Sequence, residues 1–331
     1  MTLTFAIQRD EGLQALRSAV YIFSGRFDYD RWPVLHGPRY GRALGLETRA
    51  WSVRGALPTD EVLIVDQRVL AEDVAEIEAF ALRHPEQRFV LRVVDPYWPP
   101  QDCNPLRDLA FRLVGRVNTA VLLAYQPVEV TQLLLMADGP DRIHVSPYPY
   151  LRSREFPLDQ PRKRRAIISG NATASVYPLR AWARHKRRRS LVWRRFSEDL
   201  SHPGYLSGQR SPKALLGTAY LQHLASFEAM FLCPSRAGLE FFKYGECAYA
   251  GCAPVGEAPQ GFPSAAVDCI VPFDSADMPQ SIRRIVRTPV AEWRERAAAY
   301  RTAMAADRDP AVLRQHLDAW LQCVWPARRS R

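Results

Sequence analysis

The chain has 331 residues, of which 47% are hydrophobic and 24% charged, and its formal net charge is +10. That length and balance accommodate one large or two ordinary globular domains and exclude a disordered chain. The positive excess points to anionic partners, and nucleotide diphosphates, nucleic acid, lipopolysaccharide and acidic membrane surfaces all qualify.

From the N-terminus, residues 1–10 show neither a basic n-region nor a sustained apolar h-region. The most apolar stretches, 121–125 and 132–136, are far shorter than the ~20 residues that span a bilayer. The expectation is a cytoplasmic protein, at most peripheral to the inner membrane face. Short, nearly continuous apolar runs at 19–23, 62–66, 89–94 and 120–124 read as strands buried on both faces. Residues 69–84 have helical spacing, stopped by His84-Pro85. Strand and helix in alternation predict a parallel α/β sheet. A further strand at 142–145 precedes a proline-rich stretch, and the boundary between two domains is placed within 147–163, giving units of 1–150 and 151–331.

The alternation then restarts. Strands are expected at 165–169, 229–233, 253–256 and 267–271, and helices at 177–189, 213–226, 239–250, 292–304 and 310–324. Two α/β units joined this way form a cleft between the carboxyl ends of their sheets, where such sheets bind ligands. The cysteines show neither CxxC pairs nor zinc spacing, and Cys233, Cys247 and Cys252 fall in apolar segments, so reduced core thiols are expected.

The most informative stretch is 231–255. It reads as a strand ending at Cys233, a loop Pro234-Ser-Arg-Ala-Gly238, a helix carrying Lys243 and Glu246, a stop at Gly251, and a second strand. Such a loop offers unpaired N–H groups and the positive end of a helix to a phosphate. Gly238 permits close approach of the backbone, and Arg236 or Lys243 adds charge-assisted contacts. Glu246 sits where a carboxylate reaches ribose hydroxyls. The same strand–loop–helix–strand is also the ordinary α/β unit, with Glu246 a solvated helix residue.

The residues Leu232-Cys233-Pro234, Gly238, Lys243, Glu246, Gly251-Cys252 and Pro254-Val255 resemble the donor-binding signature of GT-B glycosyltransferases, above all exostosin-like enzymes. The resemblance implies two Rossmann-like domains facing a cleft. It also implies transfer of a sugar from a nucleotide sugar, such as a UDP- or GDP-sugar, without a metal cofactor. Glu246 would then contact the ribose, Arg236, Ala237 and Gly238 the phosphate or sugar, and Ser169, Gly170 and Asn171 would face the diphosphate. The chain departs from the family where many relatives have a second acid and this one has Gly238, with Glu240 the nearest carboxylate.

The block from Arg162 to Arg195 concentrates positive charge in mid-chain. It reads either as a solvated helix face or as a contact for an anionic membrane surface or DNA, and the resemblance alternatively turns Arg194 toward the donor phosphates. A sugar transfer by inversion also needs a general base. Asp66 and Asp95 end predicted strands, and His36 lies in a Gly/Pro-rich loop, so Asp95 and His36 are candidate catalytic residues. Asp28-Tyr29-Asp30 matches a D-x-D metal pattern but comes too early for the GT-A fold and is set aside. Three functions stand: a glycosyltransferase acting on a saccharide, lipid-linked or protein acceptor; one modifying bases in DNA; and a basic scaffold of the same fold without turnover.

Overall fold

The computed structural model describes residues 19–25, 37–51, 61–66, 68–69, 71–94, 105–116, 118–124, 140–200, 215–235, 238–274 and 277–326. In the first half the elements are β1 (Ala19–Phe23), α1 (Pro38–Ala43), β2 (Glu47–Ala50), β3 (Val62–Val65), α2 (Ala71–Arg83), β4 (Arg88–Val93), α3 (Pro105–Leu113), β5 (Thr119–Leu123) and β6 (Ile143–Val145). The second half runs β7 (Lys163–Ser169), α4 (Pro178–Arg189), α5 (Leu191–Phe196), β8 (Ser197–Leu200), α6 (Gly217–Ala225) and β9 (Phe227–Leu232). It continues with α7 (Phe242–Ala250), β10 (Ala253–Gly256), α8 (Ser264–Val267), β11 (Val271–Pro272), α9 (Met278–Arg287), α10 (Val290–Asp307) and α11 (Pro310–Val324).

The strands form two parallel sheets, ordered β2-β1-β3-β4-β5-β6 and β11-β10-β9-β7-β8. The expected pair of parallel α/β units is what forms. Read from its first strand, each sheet has the same order: the first strand lies between the second and the third. The order reverses there, and at such a switch point the connections leave toward opposite faces and open a crevice at the strands' carboxyl ends. For the second sheet that point lies between β7 and β9.

Several elements differ from the sequence reading. β2 (ETRA) and β8 (SEDL) are polar edge strands that are only partly covered, so no apolar run marks them. The apolar segment 267–271 divides between α8 and β11, whose register with β10 covers only Val271 and Pro272. Helix α7 begins at Phe242 rather than Leu239. Residues 239–241 stay off the helix because Leu239 and Phe241 pack into apolar clusters, Phe241 also lying 5.1 Å from Tyr177.

The sequence assigns α11 to the second unit, yet it packs on the first. Leu313, Leu317, Trp320 and Leu321 form one stripe at helical spacing and join Tyr21, Val62, Ile64 and Leu122 in one core. Arg314 Nη1 donates to the carbonyls of Leu44 and Gly45, and Trp320 Nε1 donates to that of Asp141.

At this seam His144 stacks on Trp320, with ring centroids 5.1 Å apart. Burial, with some repulsion from His316, holds the His144 pKa down at about 4. The unfolded chain takes up this proton near pH 6.5, so folding stability is unaffected above that value. It falls as pH drops from 6.5 toward 4. The expected result is a melting temperature that declines over that window, with a shallower decline in His144→Gln; identical slopes would refute the assignment.

Candidate functional site

Helix α7 is fixed first at its C-terminus, because its last turn leaves backbone carbonyls without helical partners. Gly251 takes up the left-handed conformation at φ 66°, and Cys252 N–H returns to the carbonyl of Cys247. A side chain at Gly251 would lie 2.6 Å from Arg301 Nη2 and from Leu158, so only glycine fits. Arg162 Nη1 donates to the carbonyls of Ala250, Gly251 and Phe227. Arg301 donates to those of Ala248, Tyr249 and Phe156. Two guanidiniums therefore neutralise the negative end of the helix and tie it to the chain before β7. Arg162, which the sequence places in a basic contact surface, is a structural clamp.

The anchored helix presents Lys243 and Glu246, one turn apart, toward the β7 end of the second sheet. Glu246 is only 4% exposed. Its Oε2 accepts from Lys243 Nζ at 2.6 Å and from the Tyr220 hydroxyl at 2.9 Å. The Tyr220 hydroxyl has a single proton, so it accepts from Lys243 at 2.7 Å and from Ser169 Oγ at 2.6 Å. Among the described residues Glu246 Oε1 has no hydrogen-bond partner. Burial pushes the Lys243 pKa below its usual value against the pull of Glu246, and burial together with Glu246 pushes that of Tyr220 well up.

A second cation meets this network at Gly170. Arg180, on the first turn of α4, is 2% exposed and donates through Nη1 to the Asn171 carbonyl at 2.7 Å. Its guanidinium lies 4.5 Å from the Tyr177 ring centroid. Nε and Nη2 are buried without a hydrogen-bond partner among the described residues, a costly state for a charged group. Gly170, at φ 101°, sits between the two cations. An added Cβ would lie 2.9 Å from Lys243 Cε and 3.0 Å from Arg180 Nη1. Arg184 holds the same loop, donating to the Gly170 and Leu200 carbonyls and pairing with Asp199.

The structure thus brings Gly170, Asn171, Lys243 and Glu246 together at the switch point. Gly238 lies on the loop before α7, but its N–H donates to the Ser235 carbonyl and the Leu239 N–H to Ser235 Oγ. Those amides are used inside the loop rather than offered to a phosphate. The first residue of α7, Phe242, is packed 4.4 Å from the Tyr148 ring, so the helix start is covered. Arg194 is exposed on α5; that helix leads into the amino end of β8, away from Gly170. Arg236, Ala237, Asp95, His36 and the Asp28–Asp30 pair lie outside the described residues. Asp66 is fully buried, accepts from the Tyr21 hydroxyl and the Arg68 N–H, and pairs with Arg92 at 3.6 Å. A carboxylate so enclosed holds the core of the first unit together and is not placed to take a proton from a substrate.

Sequence reasoning missed Tyr220, which donates to Glu246, and Arg180, which lies beside Gly170; Ser169, expected to face the diphosphate, instead bonds the Tyr220 hydroxyl. Arg180 was hidden among the arginines of the basic block, and nothing local distinguishes Tyr220 from a core tyrosine. On the side of Glu246 toward the inter-sheet connection is a cavity of about 30 Å³, bordered by Tyr148, Tyr150, Arg154, Phe242, Tyr249 and Arg308 among others. Among the described residues no group of three or more His, Cys, Asp or Glu side chains is gathered as metal ligands.

No family model and no curated protein matches the chain. Among solved structures it is similar to a UDP-forming α,α-trehalose-phosphate synthase from Burkholderia xenovorans. That match has a TM-score of 0.53 and 12% identity over 87% of this chain and 79% of that one. It is also similar to the corresponding enzyme from Burkholderia vietnamiensis, with a TM-score of 0.52 and 12% identity over 81% of this chain and 74% of that one. At such identity the likeness concerns the fold. The chain has the GT-B arrangement of two parallel Rossmann-like sheets.

Proposed function

We propose that the protein is a glycosyltransferase that draws its sugar from a nucleotide sugar, such as a UDP- or GDP-sugar, and passes it to a saccharide, lipid-linked or protein acceptor without a metal cofactor. The observation that carries this reading is the buried Glu246–Lys243–Tyr220–Ser169 network, with Arg180 beside it at the switch point of the second sheet. The fold shared with two UDP-forming sugar-phosphate synthases supports it.

In this reading Glu246 Oε1 accepts from the ribose hydroxyls. The diphosphate lies over Gly170 and Asn171 within reach of Lys243 and Arg180, and a Cβ at Gly170 would displace both cations. Two cations in a poorly hydrated site stabilise the negative charge that builds on the departing diphosphate more than they would in water. That role suits Arg180, whose Nε and Nη2 have no hydrogen-bond partner among the described residues. The phosphate site is thus proposed at the β7 loop and not at the start of α7. DNA as acceptor draws less support, because Arg162, Arg184 and Arg187 donate to backbone carbonyls within the fold.

The test is a melting panel with UDP-, GDP-, TDP- and CMP-sugars, followed by an assay for released nucleoside diphosphate. One nucleotide class is expected to raise the melting temperature and to be turned over. If no sugar nucleotide gives either result, the proposal fails.

A further inference from the structure

Much of the positive charge between Arg162 and Arg195 is used internally. Arg162, Arg184 and Arg187 donate to carbonyls, and Lys163 and Arg165 pair with Glu198. What remains exposed is concentrated at the corner where α4 meets α5. There the exposed Arg188, Arg189, Arg194 and Arg195 flank in the chain Leu191, 73% exposed, and Val192, 57% exposed. Helix α5 turns Trp193 and Phe196 inward to the core. The opposite side of this single turn therefore presents the two aliphatic side chains and both following arginines outward. From Ala181 to Phe196 there is no acidic residue. The carboxylates just beyond, Glu198 and Asp199, are already paired with Lys163, Arg165 and Arg184.

We propose that this corner docks on an anionic lipid bilayer, with Leu191 and Val192 entering the acyl boundary and the four arginines meeting the headgroup phosphates. Leu191 and Val192 are the two most exposed large aliphatic side chains among the described residues, and they are adjacent within a cationic stretch, the pairing of apolar and basic groups that an anionic bilayer interface receives. Nucleic acid would satisfy the arginines and leave Leu191 and Val192 in water. A bilayer interface satisfies both, since its anionic surface attracts each nearby cation and its acyl layer takes the aliphatic groups. The corner lies toward the amino end of β8, away from the crevice at Gly170, so docking and donor binding are independent.

The experiment is co-sedimentation of the full chain with phosphatidylcholine vesicles, with and without phosphatidylglycerol, at low and high salt. Binding is expected only with the anionic lipid and to weaken with salt. The double variant Leu191→Ser, Val192→Ser keeps the net charge and should keep the melting temperature, because both side chains are exposed. It is expected to bind the vesicles about tenfold more weakly. Arg188→Gln with Arg189→Gln should also weaken binding and flatten its salt dependence. The proposal is overturned by no binding to anionic vesicles, by binding untouched by the Leu191/Val192 change, or by a self-associating chain whose oligomer that change dissolves. Duplex DNA binding more tightly than vesicles would also overturn it. None of these results bears on Glu246 or on sugar transfer.

Discussion

Glu246→Gln is expected to weaken nucleoside diphosphate binding by about 10- to 100-fold, the range for losing a hydrogen bond to a charged group. Glutamine keeps the shape of the side chain but removes the charge that orients Lys243 and the oxygen proposed to receive the ribose. The same change leaves a buried ammonium without its carboxylate, so the variant should also lose stability, by about 1–3 kcal/mol. Stability and binding separate in the double variant Glu246→Gln, Lys243→Met. Removing both members of a buried pair restores much of the stability that removing one destroys, while ligand binding stays lost. Calorimetric titration with UDP and GDP, alongside melting curves, reads both quantities. Binding within twofold of the parent in the single variant would discard the ribose assignment.

Arg162→Met is expected to be among the most destabilising single changes at a polar residue. One nitrogen of Arg162 joins the end of α7, Gly251 and the start of β9, while the other reaches the Pro157 carbonyl. Loss of the guanidinium takes a donor from the Ala250 and Gly251 carbonyls, leaves the Phe227 carbonyl to its Cys252 thiol partner, and removes positive charge from the negative end of the helix. The cost is about 3–5 kcal/mol, which corresponds to a fall in melting temperature on the order of 10 °C. Arg188→Gln, at an exposed position on the last turn of α4 in the same basic block, should leave the melting temperature unchanged. Equal stabilities for the two variants would show that Arg162 is not the clamp described above. The contrast matters because both residues belong to one basic block in the sequence and have different physical roles.

The sheet strands were the easiest elements to read. Segments such as Ala19–Phe23 and Ala253–Gly256 are buried on both faces, so each is apolar at nearly every position, and their bounds were expected as they are found. The edge strands β2 and β8 were not seen, because hydrogen bonds to one neighbour hold them and their side chains carry no apolar pattern. Gly251 was legible as a stop because a left-handed residue at a helix end is a local requirement. Gly238 was read by the same local logic as the floor of a phosphate site, yet its amide turns inward to Ser235.

What this sequence determined by itself is everything that depends on near neighbours along the chain. That includes the parallel α/β alternation, the stop after α7, the reduced buried thiols and the presence of Lys243 and Glu246 on one helix. What only the tertiary structure decided is which distant groups share a volume. Ser169, Tyr220 and Arg180 come from three separate elements and meet at Glu246 or Gly170 solely because β7 and β9 are neighbours in the sheet. Helix α11 likewise crosses back to the first unit because its apolar stripe is buried there. Charge shows the same division. A run of arginines fixes the sign of a segment, but whether each one faces a carbonyl, a carboxylate or open water is set by the packing around it, since an uncompensated buried charge is too costly to remain.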